Sequence, residues 1–162
     1  HEIKDFSGWV HLACTYDGGI FRLYINGSND LNTGAVDTSS NQTVDSGVTG
    51  KAITYSSNTP VIVGGDAINT SNAANTFLIG GLIDDVAIWD AAIDADGIGV
   101  IYNNGKAGLD LTSSSGDYDN EGDLQGWWKF EEGSGTSVAD SSSNSNTGTL
   151  TNSPSFSDNT SE

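Results

Sequence analysis

Apolar and polar residues alternate strictly through "WVHLACTYDGGIFRLYING", Trp9 to Gly27. A period of two puts Val10, Leu12, Cys14 and Tyr16 on one face of a strand, and Phe21, Leu23 and Ile25 on one face of the next. Between them, Asp17-Gly18-Gly19 supplies the positive φ of a tight turn, which predicts a β-hairpin ended by Asn26-Gly27. In this phase Cys14 is expected as a small buried hydrophobe. Residues 28–50 are polar and predict a long loop with one short strand near Ala35 to Thr38. "KAITYSS" and "PVIVGGD" predict two further strands, with Pro60 at a first strand position where its missing N–H matters little. "NTSNAAN" reads as a loop. The longest predicted strand is Leu82 to Trp89. Asp84 lies in phase there with Leu82, Val86 and Ile88, so it must face inward, pair with something or ligate a metal, and hydrogen bonding to neighbouring backbone is the commoner outcome.

The pattern changes once. "AAIDADGIGVIYNNG" carries an apolar stripe of Ile98, Ile101 and Tyr102, with Asp94 as N-cap and Gly105 at the C-terminal left-handed position. Gly97 and Gly99 each cost about 1 kcal/mol relative to alanine, so this helix needs tertiary packing. Residues 106–123 read as an acidic, flexible connector. Strand alternation then returns in "LQGWWKF", with Trp128 and Phe130 on one face and Trp127 and Lys129 on the other. "SVAD" and "TGTLT" predict two short strands around the loop "SSSNSN". The tail that follows has Phe156 as its one large apolar residue. The predicted fold class is all-β, an antiparallel jelly-roll β-sandwich with one short helix.

Charge narrows the partners. The 162 residues hold 5 Lys or Arg against 22 Asp or Glu, a formal net charge of −17. That field repels phosphate, so nucleic acid is not expected as a partner, and it attracts cations. No run of about 18 apolar residues predicts a membrane span. With no methionine in the sequence, His1 is read as following a removed leader or a boundary in a longer chain. One cysteine makes no internal disulfide.

"GWVHLACTYDGGIFRLYINGS" and "FLIGGLIDDVAIWDAAIDADGIGVIYNNG" resemble, in this order and spacing, the laminin-G-like, concanavalin-A-like lectin and glucanase jelly-roll superfamily. The first has its Trp-His opening, "TYDG" turn and "L-Y-I-N-G" strand, and the second its closing strand and short helix. "GWWKFEEGSGTSVADSSSNSNTGTL" resembles the family's opening strand and its Asp-Ser-Ser-x-Asn-x-Asn loop, but stands after the closing strand. The family's middle strands are absent between the pieces. The resemblance implies an incomplete sandwich over 1–105, the connector over 106–123, and an opening-strand-like tail over 124–162. That tail completes its own sandwich, completes a neighbour's, or belongs to a longer tandem array. An extended 18-residue connector spans roughly 60 Å and permits each. A sandwich lacking strands leaves unpaired backbone that a donated strand satisfies.

Candidate chemistry is sparse. His1 and His11 build no catalytic triad. Glu131-Glu132 and Asp84-Asp85 are sequence neighbours on opposite strand faces, so neither pair flanks a glycosidic bond, and no enzyme activity is expected. Asp117, Asp119 and Asp123 imitate part of a calcium loop, although Trp128 stands where its last ligand belongs, and Asp140, Asn144 and Asn146 form a second candidate. No cofactor is required, and Ca2+ is the one considered. Glycan binding, the resemblance's usual non-enzymatic role, would call on Trp127 and Trp89. Acceptor triplets for glycosylation begin at Asn26, Asn41, Asn69 and Asn159. The expected function is a secreted, cell-surface or virion-surface structural module. It assembles head-to-tail with copies of itself as a fibre, filament or appendage. Trp127, Trp128, Phe130, Leu150 and Phe156 are its strand-complementation interface. The alternative is a calcium-dependent carbohydrate-binding adhesion module.

Overall fold

The computed structural model describes residues 8–17, 21–27, 60–65, 79–105 and 108–157. The strands expected within 28–57, the loop 69–75 and the hairpin turn at Gly18-Gly19 lie outside the described residues. Among the described residues, six strands pair as three two-stranded antiparallel ladders, accompanied by one α-helix. No helix among them is long and apolar enough to cross a membrane.

The hairpin forms as its alternation predicts. Strand β1 (Leu12–Tyr16) pairs antiparallel with β2 (Phe21–Ile25), Cys14 opposite Leu23 and Ala13 opposite Tyr24. The face turned to the core is the other one. Tyr24 is 1% exposed and Ala13 packs against the core, whereas Leu12 is half exposed and Cys14 is exposed. The expectation of a buried Cys14 is thereby corrected. Alternation fixes which residues share a face; what packs on that face is decided elsewhere in the chain.

The expected strand Leu82 to Trp89 is shortened to β3 (Val86–Trp89). Asp85 adopts φ 49°, which breaks the extended backbone ahead of Val86. Leu82 is left 47% exposed.

Helix α1 (Ala95–Gly105) begins as its capping residues dictate. The Gly97 amide donates to Asp94 Oδ1 at 2.8 Å, and the Ile98 amide to Asp94 O at 3.0 Å. Ile93, before the cap, and Ile98, in the first turn, are both buried and staple the helix entry. Gly97 is there for a reason beyond propensity. A Cβ at this position would lie 2.8 Å from Ile93 Cγ2 and 3.2 Å from the carbonyl oxygen of Asp117.

That contact exposes a second correction. The stretch read as a flexible connector packs as core. Tyr118 is fully buried, Leu111 is 6% exposed, and the Tyr118 hydroxyl donates to Leu111 O at 2.8 Å. Trp89 Nε1 donates in turn to the Tyr118 hydroxyl at 3.1 Å, with the two rings edge to face. Ser115 and Tyr118 exchange backbone hydrogen bonds of 2.8 and 3.0 Å around Gly116. A buried tyrosine with both its donor and acceptor roles filled fixes a loop that has almost no other apolar side chain.

A 3-10 turn (Glu121–Asp123) leads into β4 (Leu124–Trp128), which pairs antiparallel with β3 of the same chain. Strands β5 (Ser137–Val138) and β6 (Gly148–Thr149) form the last ladder. The core holds Tyr24, Ile93, Ile98, Leu111, Tyr118, Leu124 and Trp127. Hairpin, helix, connector and tail therefore share one apolar cluster.

Candidate functional site

The tail strand β4 carries the residues expected to fill a gap in the sheet, and their phase is set by a bulge. Val86 faces Trp128, Ala87 faces Trp127, Ile88 faces Gly126, and Trp89 faces Leu124, so Gln125 is the extra residue. One inserted residue shifts the alternation, and both Leu124 and Trp127 point into the core. The plug is therefore Trp127 with Leu124. Trp128 and Phe130, expected in that role, are only half buried.

Local sterics explain the reversal. Gly126 has no side chain, and a Cβ there would collide with the Trp128 ring, which lies back over the strand. Trp128 Nε1 then donates to Asn146 O at 2.8 Å. Phe130 sits at φ 59°, which ends the extended run. Leu150 and Phe156 are half buried and line, with Trp128 and Phe130, an open cleft of about 1250 Å³. Trp9, Val61 and Leu82 reach the same cleft and are exposed. Asp84 lines it as well.

Trp127 is anchored by charge. Its Nε1 donates to Asp85 Oδ1 at 3.1 Å, and Lys129 Nζ lies 4.0 Å above its ring. Desolvation by burial raises the Asp85 carboxyl, with the negative charge of Asp84 adding to it, while the Trp127 hydrogen bond acts against it. The positive φ of Asp85 is what turns its carboxylate toward this indole, a pairing invisible to strand periodicity.

The loop after β5 wraps the outer edge of β4. Asp140 Oδ1 accepts from the amides of Trp127 and Ser142 at 2.9 and 2.8 Å, and Oδ2 accepts from Ser142 Oγ and the Asn146 amide at 2.9 and 2.7 Å. Burial pushes this carboxyl up, but the four hydrogen bonds outweigh it and hold it below its ordinary value. Asn144 Nδ2 donates to Leu124 O at 3.1 Å, and Asn146 Nδ2 to Gln125 O at 2.8 Å.

At both candidate calcium sites the side chains are engaged by the protein itself. Each Asp140 oxygen already accepts two protein hydrogens, and Asn144 and Asn146 turn their amide nitrogens to the strand. Asp123 Oδ2 accepts from Asn120 Nδ2 at 2.9 Å, and among the described residues no three His, Cys, Asp or Glu side chains gather as a metal cluster with Asp117 or Asp119. The two tryptophans expected for glycan contact serve packing: Trp127 is 5% exposed and Trp89 binds Tyr118. Of the glycosylation triplets, Asn26 is half buried, with its Oδ1 accepting the His11 amide at 3.1 Å. Asn41, Asn69 and Asn159 lie outside the described residues.

Comparison with known families decides the lineage. The Laminin_G_3 family model, described as the concanavalin A-like lectin/glucanases superfamily, matches residues 2–99. The chain belongs to this superfamily. No curated protein and no solved structure matches it. The superfamily fold is a jelly-roll β-sandwich, and the described part of this member has six short strands and a single α-helix. Its name spans lectins and glucanases, so membership covers binding modules and enzymes alike. Strand β3 and the start of α1 fall inside the matched region. Strand β4, with Leu124 and Trp127, falls outside it.

Proposed function

We propose that this laminin-G-like chain is a non-catalytic structural module of an extracellular or particle surface, which joins its neighbours head-to-tail by exchanging β4. One observation carries the reading: the core of the matched region is completed by a strand from beyond it. A contact made within one chain across a connecting segment can form in the same geometry between chains at high enough concentration, and repeating it without closure yields a filament. Leu111 and Tyr118 pack with the same core, so the exchanged unit starts after α1 and includes them. The apolar cleft, with exposed Trp9, Val61 and Leu82, adds support, because such a surface on a module favours association. Laminin-G-like domains are typically extracellular, and the net charge of −17 suits that setting.

Complementation between two damaged chains tests the exchange. Trp127→Ala destroys the donated segment and leaves the receiving core intact; Ile98→Asp does the reverse. Each removes or disrupts a core side chain, a loss of about 3–5 kcal/mol for a buried tryptophan, which is most of a small domain's stability. Mixed after denaturation, the two chains are expected to regain a cooperative thermal transition that neither shows alone. A mixture that melts as the sum of its two parts refutes the exchange.

A further inference from the structure

Strand β4 has two edges, and only one belongs to β3. Along the other edge the hydrogen-bonding row is filled by one loop. The Trp127 amide donates to Asp140 Oδ1 at 2.9 Å, and Trp127 O accepts the Ser141 amide at 2.7 Å. Leu124 O accepts Asn144 Nδ2 at 3.1 Å. Gln125 O accepts Asn144 Nδ2 at 3.3 Å and Asn146 Nδ2 at 2.8 Å. Four of these five hydrogen bonds are made by loop side chains, three as donors and one as acceptor, standing where the backbone groups of a further strand would stand.

The strand they cover has no charged guard of its own, as holds for every described strand except β2 with its Arg22. Leu124–Trp128 contains no charged residue, although the sequence carries 22 acidic ones. Exposed strand edges are ordinarily guarded by charge, by proline or by a covering segment. Here charge and proline are missing from the strand, and the loop does the covering.

The geometry points to the Asp140–Asn146 loop as an edge plug that keeps β4 from accepting another strand, and to β4 of a second copy as the strand it excludes. Two copies of an uncharged strand pair antiparallel about a two-fold axis, with Leu124 across from Trp128 and Gly126 at the centre. Elsewhere on the surface, like charges oppose the approach of a second copy; along this edge none stands in the strand itself. The inference concerns the outer edge of β4 and is independent of the exchange of β4 against β3.

Removing the plug tests it. In Asp140→Ala/Asn144→Ala/Asn146→Ala, near-ultraviolet circular dichroism of the tryptophans reports whether the core persists, and light scattering across a concentration series reports mass. The expected result is a folded variant whose mass rises with concentration to about twice the wild-type value or more, the size a two-fold pair demands. Adding Gln125→Lys, which restores a charged guard to the edge, is expected to return it to wild-type size. This reversal separates edge pairing from exchange of β4, which a lysine at the bulge leaves in place. Should the triple variant lose its tryptophan signal, the comparison is read on Asn144→Ala/Asn146→Ala, which keeps the Asp140 bonds. A folded variant of unchanged mass, in whichever of the two retains the signal, overturns the proposal, as does association that Gln125→Lys fails to reverse.

Discussion

Asp140 accepts four hydrogen bonds, one from the Trp127 amide of β4 and three from its own loop. Because the folded state holds this carboxyl below 3.8, its ordinary value, the stability it contributes is present above 3.8 and is lost as the pH falls through the lowered value. Asp140→Asn keeps the shape but replaces one acceptor with a donor. It is expected to lower stability at neutral pH by about 1 kcal/mol, the low end for charged hydrogen bonds because the site is largely exposed. The difference in Tm between wild type and variant should shrink as the pH drops below 3.8. A difference independent of pH contradicts the assignment. Asp85 runs the opposite way. Burial raises its carboxyl, so its contribution is full below 3.8 and declines as the pH rises through the raised value. At this scale the sequence was only partly legible. The Asp-Ser-Ser-x-Asn-x-Asn loop was visible as polar turn chemistry, but that its side chains close a strand edge depends on where β4 lies. Asp85 facing Trp127 depends on a positive φ that no periodicity reports.

Among elements, α1 was the most legible, because its signals are local. The cap at Asp94 and the stripe at Ile98 both stand in the structure as read. The glycines within it looked equivalent in the sequence and are not. Gly97 is pressed between Ile93 and the backbone of Asp117, whereas nothing stands within 4 Å of a Cβ at Gly99. Gly99→Ala should therefore stabilise by up to about 1 kcal/mol, the ordinary helix propensity gain. Gly97→Ala should destabilise by about 1–2 kcal/mol, since overpacking outweighs the same gain. Urea melts of the two variants check the pair, and equal shifts in the same direction would show that the Asp117 loop does not press on the helix. Strand phases were less legible than the helix. The hairpin's residues were correctly grouped into faces, but Ala13 and Tyr24 rather than Leu12 and Cys14 face the core. In β4 a single bulge residue, Gln125, converted the expected Trp128 plug into Trp127. Tyr118 was hidden for a different reason: one aromatic in the polar run Thr112 to Asp123 carries no period at all.

For the molecule as a whole, the superfamily was readable from the hairpin and closing strand, whose spacing the family match over residues 2–99 bears out. What lies beyond that match was read as connector and tail, yet Leu111, Tyr118, Leu124 and Trp127 supply more than half of the shared core. Among the described residues this cluster is the main apolar contribution to stability; Arg22 with Asp17, at 2.8 Å, is an exposed pair worth little. Assembly by exchange requires that β4 lie against the β3 of another chain. Val86 and Trp128 are directly opposed, at a separation that a cross-strand disulfide tolerates. In a Cys14→Ser background, Val86→Cys/Trp128→Cys oxidised at assembly concentration and sized under denaturing, non-reducing conditions reads the answer covalently. Exchange predicts a ladder of covalently joined chains that collapses to one species on reduction. A single cross-linked monomer at every concentration would contradict it.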